Sequence, residues 1–198
     1  MKYSDVFDLV EKFNVKGYIL VANSDIFFDK SLKNIFKSGL STKKKVYCQL
    51  RFEFTDSNLY KCKIFGPRGD SQDSWLFHSN FNIEKSKRKI FNFELGIPAC
   101  DNHINYLFSI MGFAVHNEPY FIRTYHNHKS EFRTYNGETK KAIKPWLRVQ
   151  PIVHEYIEEW VKPNDNWWRF NIIEENNKLG DYLKSKIHND TNFIIPRI

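Results

Sequence analysis

Residues 19–32 read ILVANSDIFFDKSL, an unbroken apolar run that turns polar at Asn23, Ser24 and Asp25 and meets another acid at Asp29. A run without polar alternation, as in 17–22, is the pattern of a strand covered on both faces in an α/β sheet. Ahead of it, Val6, Leu9, Val10 and Phe13 recur at helical spacing, with Ser4 as a cap and Gly17 beyond the end. After it, Asp29 can cap a short helix carrying Leu32, Ile35 and Phe36, closed by Gly39. The unit reads helix, buried strand, acidic turn, helix. Open α/β sheets bind ligands outside the carboxyl ends of their strands, and Asp25 has that address.

The same arrangement recurs downstream. In FELGIPACDNHINYLFSIMGF, 93–113, an apolar strand and a turn with Pro98 lead to a helix with Ile104, Leu107, Phe108 and Met111 on one stripe, stopped by Gly112. Asp101 sits at its start. Between the two units, 46–65 reads as two strands joined through the turn-forming residues 55–58, and the loop GPRGDSQDSW leads into a strand at WLF. The alternation of YFIRTYHNHKSEFRTY, 120–135, is that of a strand with His126 and His128 on one face. Beyond Gly137 the chain becomes basic and loop-like. Pro151 can then open a helix with Val153, Tyr156, Ile157 and Trp160 inward. These patterns divide the chain into a main domain, 1–136, and a helical extension, 137–198.

A composition of 41% hydrophobic and 27% charged residues excludes the apolar poverty of a disordered chain. The net charge of +7, with Lys43, Lys44 and Lys45 in one cluster and Lys85, Lys87, Arg88 and Lys89 in another, fits either solvated surface or an anionic partner. A nucleic acid ranks last among such partners, since no recognition motif accompanies the charge. Three cysteines, Cys48, Cys62 and Cys100, without CxxC pairing support neither a disulfide framework nor a zinc knuckle, and fit a reducing compartment. With no apolar run of membrane-spanning length and no signal-peptide core, the expectation is a soluble cytoplasmic chain.

Several side chains invite a chemical reading beside a plainer one. Asn23 and Asp25 fit an Asx-type turn, or a hard-oxygen site for Mg²⁺ or Mn²⁺. Asp29 is explained as a helix cap. Asp101 fits a cap or a proton acceptor on the same rim as Asp25. His126 and His128, near Arg123 and Arg133, suit a metal or phosphate contact, or an exposed strand face. Asp70, Asp73 and Trp75 could form a sugar-contacting surface, or Trp75 could be core.

The ordered set VANSDIFFD, LRFE, GDSQDSWLF, LGIPACDNHINYLFSIMGFAV and TYHNHKSEFRTYN, over about residues 3–136, resembles a glycosyltransferase-like family of the GT-A type found in large DNA viruses and some bacteria. The resemblance implies a mixed, mostly parallel, Rossmann-like sheet flanked by helices. It makes Asp25 the ligand of Mn²⁺ or Mg²⁺, with His126 or His128 completing the shell, and Asp101 the base that deprotonates an acceptor hydroxyl. Asn23, in place of the first acid of a DxD-type turn, would contact the donor together with Ser24, while Asp73, Trp75, Asn102 and Arg133 line the site. The implied partners are a UDP- or GDP-linked sugar and a glycan or glycoprotein acceptor. In that family further base-binding strands precede the helix of residues 4–13. Their absence here leads to the expectation that another chain supplies them, or that this is a truncated, non-catalytic binding or partner protein.

Overall fold

The computed structural model describes residues 1–66, 68–127 and 142–152, and the backbone of 160–161. In chain order the elements are α1 (Tyr3–Lys12), β1 (Tyr18–Ala22), β2 (Ile26–Phe28), β3 (Lys45–Leu50), β4 (Phe52–Glu53), β5 (Lys63–Phe65), β6 (Gln72–His78), α2 (Cys100–Ile110), β7 (Ala114–His116), β8 (Thr124–His126) and β9 (Trp160–Val161). Short 3₁₀ helices connect them, the longest being Lys30–Lys37 and Lys85–Phe91.

The strands form two mixed sheets, ordered β1-β6-β3-β7 and β2-β8-β4-β5-β9. The α/β class expected from the sequence holds, but the sheets are not mostly parallel. β1–β6, β3–β6, β2–β8 and β4–β5 are antiparallel, whereas β3–β7, β4–β8 and β5–β9 are parallel. The link between β4 and β5 shows why: parallel neighbours need a crossover of a dozen or more residues, and 54–62 holds only a turn and one 3₁₀ turn.

β1 is an edge strand, and its residues alternate in burial, with Ile19 and Val21 inward and Leu20 42% exposed. The expectation of a strand covered on both faces fails here because an uncharged edge strand also reads as an apolar run. The helix before it is present, but its inward stripe is Tyr3, Val6, Phe7 and Val10, while Leu9 and Phe13 are exposed. Two overlapping i, i+3, i+4, i+7 sets occupy this segment. The one containing two aromatic rings buries more apolar surface and faces inward.

That stripe and the Ile104, Leu107 and Phe108 stripe of α2 cover one face of the first sheet. Phe7 is ringed by Phe77, Phe91 and Phe108 at centroid separations of 4.9–6.2 Å. The opposite face carries Tyr47 and Leu76, packed with Ile35, Leu40 and Ile122. Asp29 caps the 3₁₀ helix as expected, accepting from Ser31 N at 2.8 Å. Leu50, Phe52, Cys62, Ile64 and Tyr125 form a smaller core on the second sheet. Residues 142–152 join the main core through Leu147 and Val149, and their backbone bonds to Asn102, Gly69 and Asn117.

No strand leads directly into α2. Residues 93–97 contribute only an isolated bridge between Glu94 and Lys2, so Asp101 follows a turn rather than a strand end. Ala99, at φ 63° in the left-handed region, swings the chain into α2 and sets Cys100 and Asp101 in its first turn. No described helix is long and apolar enough to cross a membrane.

Candidate functional site

The chain crosses from the first sheet to the second at three points, one of them 117–123 between β7 and β8, and the other two carry the polar side chains described next. One crossing is the turn 23–25 between β1 and β2; the other is Arg51, the single residue between β3 and β4. The strand that opened the sequence reading ends in carboxylates because its continuation leaves one sheet, turns and enters another.

The two crossings are stitched together by side chains. Asn23 donates from Nδ2 to Asp73 Oδ1 at 2.8 Å, and its backbone N–H donates to Asp73 O at 3.0 Å. Arg51 Nη1 donates to Asp73 Oδ2 at 2.5 Å and to Ser71 Oγ at 2.9 Å, while its Nε donates to Glu53 Oε1 at 2.8 Å. Glu53 Oε2 lies 3.0 Å from His126 Nδ1, and His126 Nε2 lies 3.1 Å from Asp25 Oδ2. Asp25 is further tied by its carbonyl, which accepts from Asn127 N at 2.9 Å. An unbroken polar chain therefore runs from Asn23 through Asp73, Arg51, Glu53 and His126 to Asp25.

Charge balance within this chain shifts its titrations. Burial raises the free energy of the charged Glu53 carboxyl, but the hydrogen bond with His126 and the Arg51 guanidinium outweigh it, holding Glu53 below the usual carboxylate range. Burial works against the charged His126 ring, yet the hydrogen bond to Glu53 and the Glu53 and Asp25 charges leave it above an ordinary histidine. Arg51 is partly buried, stacked 4.1 Å over the Phe65 ring, and held charged by Asp73 and Glu53.

Asp101 adjoins this chain at the Asp73 end. Burial pushes its carboxyl up to about 7, and the nearby charges of Asp73 and Asp70 act in the same direction. Its Oδ1 accepts from Asn102 N at 2.9 Å and from Asn102 Nδ2 at 3.1 Å, which resists the rise without cancelling it. Asp70 is held by Arg68 at 2.7 Å, and its carbonyl accepts from Asn102 Nδ2 at 3.4 Å. Asn102 Oδ1 is buried without a hydrogen-bond partner.

Of the residues singled out in the sequence, Asn23, Asp25, Asp73 and His126 belong to this one chain, and Asp101, with Asn102 bonded to it, adjoins the chain through the Asp73 charge. Ser24 is exposed at the turn between them. Trp75 is 1% exposed and donates from Nε1 to Asn105 Oδ1 at 2.9 Å, so it is a core residue and not a sugar platform. His128 and Arg133 lie outside the described residues. Sequence reasoning missed Arg51 and Glu53 as site residues. Their signal was the two-residue spacing in LRFE, which sets two opposite charges on the same side of an extended chain.

The residues fit a divalent ion in one respect. Two oxygen or nitrogen ligands at right angles on a six-coordinate Mg²⁺ stand about 3 Å apart, the separation of Asp25 Oδ2 and His126 Nε2. Among the described residues no group of three or more His, Cys, Asp or Glu could hold a metal, so this pair would need oxygens from a bound ligand or water to complete the shell.

The fold and site together define a mixed α/β protein with an acidic network where its chain crosses between two sheets. No protein-family model matches the chain, and no significant match was found among curated proteins or solved structures.

Proposed function

We propose that this chain is a metal-assisted glycosyltransferase, moving a sugar from a UDP- or GDP-linked donor to a hydroxyl of a glycan or protein. One observation carries the reading: Asp101 is set in the first turn of α2, where burial first and then the Asp73 and Asp70 charges push its carboxyl up to about 7. A general base works best when its pKa lies near the operating pH. Asp101 takes the proton from the acceptor hydroxyl as that oxygen bonds to the sugar's anomeric carbon. The bond from this carbon to the diphosphate oxygen breaks, and its electron pair leaves with the diphosphate.

Asp25 and His126 are the residues that would hold Mn²⁺ or Mg²⁺, with His128 as a further ligand from outside the described residues. When bound, such an ion supplies charge neutralisation for the departing diphosphate. Asn23 and Ser24 meet the donor, while Asp73, Asn102 and Arg133 line the site. Asp73 has a second task, since its charge helps to keep the Asp101 proton affinity high.

The test is turnover of UDP- and GDP-sugars with and without Mn²⁺. The reading predicts metal-dependent turnover, abolished in Asp25→Ala and lowered about 10²–10⁴-fold in Asp101→Asn, the usual contribution of a general base. Turnover that ignores both Mn²⁺ and the Asp25 substitution contradicts it.

A further inference from the structure

We propose that β1 is the seam of a two-fold homodimer, in which β1 of one copy pairs antiparallel with β1 of a second copy and joins their two four-stranded sheets. β1 meets only β6, and the register fixes which of its backbone groups face outward. Asn23 N donates to Asp73 O at 3.0 Å and Ser79 N donates to Gly17 O at 2.9 Å, so the odd-numbered residues of 17–23 hold the ladder to β6. The N–H and C=O of Tyr18, Leu20 and Ala22 point the other way, and among the described residues nothing bonds to them. Native proteins blunt such an edge with charge, proline or a bulge, and YILVA has none of these.

The free edge is complementary to itself. Its outward residues are symmetric about Leu20, so a two-fold axis there sets Tyr18 opposite the second copy's Ala22 and Leu20 opposite the second copy's Leu20. Every free N–H and C=O of both strands then finds a partner. A large ring meets a methyl group, and no like charges face each other. The same antiparallel register brings Lys16 of one copy opposite Ser24 of the other, one residue from its Asp25, so the two ends of the seam meet with opposite charge. An acidic or a basic strand from elsewhere would match only one of those ends. The apolar strip to be covered extends past the strand itself: Leu20 and Phe36 are exposed, and Phe36 lies edge-on to Tyr18 at a centroid separation of 5.5 Å. This pairing needs neither the metal pair nor the sugar transfer proposed above.

The experiment measures molecular mass by sedimentation equilibrium for the native chain, Leu20→Lys, Leu20→Glu and an equal mixture of the two variants, with thermal melts to confirm folding. Amide exchange followed by NMR reads the N–H groups of Tyr18, Leu20 and Ala22. Leu20 is exposed in the single chain, so either charge is tolerated there, whereas like charges would face each other across the seam. The native chain is expected at twice the mass of one chain, with those amides protected. Each variant alone should lose both the dimer and the protection, and the mixture should regain the mass. A native chain that stays monomeric overturns the proposal, as does a folded Leu20→Lys that dimerises like the native chain. A native dimer whose Tyr18, Leu20 and Ala22 amides exchange freely also overturns it, whether or not the variants fold. A mixture of the two folded variants that stays monomeric shows that the copies do not meet at residue 20 and overturns the two-fold seam.

Discussion

Asp101 carries two opposed demands in one side chain. Its folded-state pKa, about 7, lies above the ordinary aspartate value of 3.8, so the folded protein binds the proton more tightly than the unfolded chain does. Stability from this group is therefore fully present below the unfolded pKa, declines as pH rises, and is lost above about 7. Each pKa unit corresponds to about 1.4 kcal/mol, so Asp101→Asn should stabilise the fold by on the order of 2–4 kcal/mol at pH 8 to 9 and by little at pH 4. Denaturant melts of both chains at the two pH values check this. Equal stability at alkaline pH would mean that the carboxylate is solvated there. Asp101 was legible as a candidate from its place in the first turn, where a helix-cap reading sufficed. What the sequence withheld was its neighbourhood, because Asp73 and Asp70 come from a segment about thirty residues earlier that only tertiary folding brings near.

At the scale of elements, Arg51 is the residue whose loss should be felt furthest. It is the single link between β3 and β4, and it pairs with Asp73 on the first sheet and Glu53 on the second. Arg51→Leu leaves two partly buried carboxylates without their cation, and breaking one side of a buried ion pair costs about 3–5 kcal/mol. Partial exposure of Asp73 and Glu53 brings the expected loss below that range, to about 2–3 kcal/mol, measurable as a lowered urea midpoint. A change under about 0.5 kcal/mol would assign the pairing to solvated surface. The helices were readable to differing degrees for a physical reason. α2 offers one apolar stripe, so Ile104, Leu107 and Phe108 were named correctly; α1 offers two overlapping stripes, and aromatic packing chose between them. Residues 93–97 read as a strand from hydrophobicity alone, but no neighbouring strand extends a ladder to them and their backbone serves a turn into α2.

Across the whole molecule, the sequence conveyed an α/β class but not the division into two sheets. Sheet membership depends on where the chain bends, and at residue 51 the bend has no glycine or proline to announce it. The same bend, with the turn at 23–25, gathers Asn23, Asp25, Glu53, Asp73 and His126 into one network that ends beside Asp101. Lys44 lies over the Phe113 ring, and Arg88 is turned inward onto Asp8 and Glu11, so part of each basic cluster is structural. The proposed function stands on a carboxyl pushed up to about 7 at the start of α2. Carboxyl-carbon NMR of the native chain across pH 3 to 9, with Asp101→Asn identifying the resonance, measures it directly. The account predicts an Asp101 midpoint at about 7; a midpoint near the ordinary aspartate value of about 4 would contradict it.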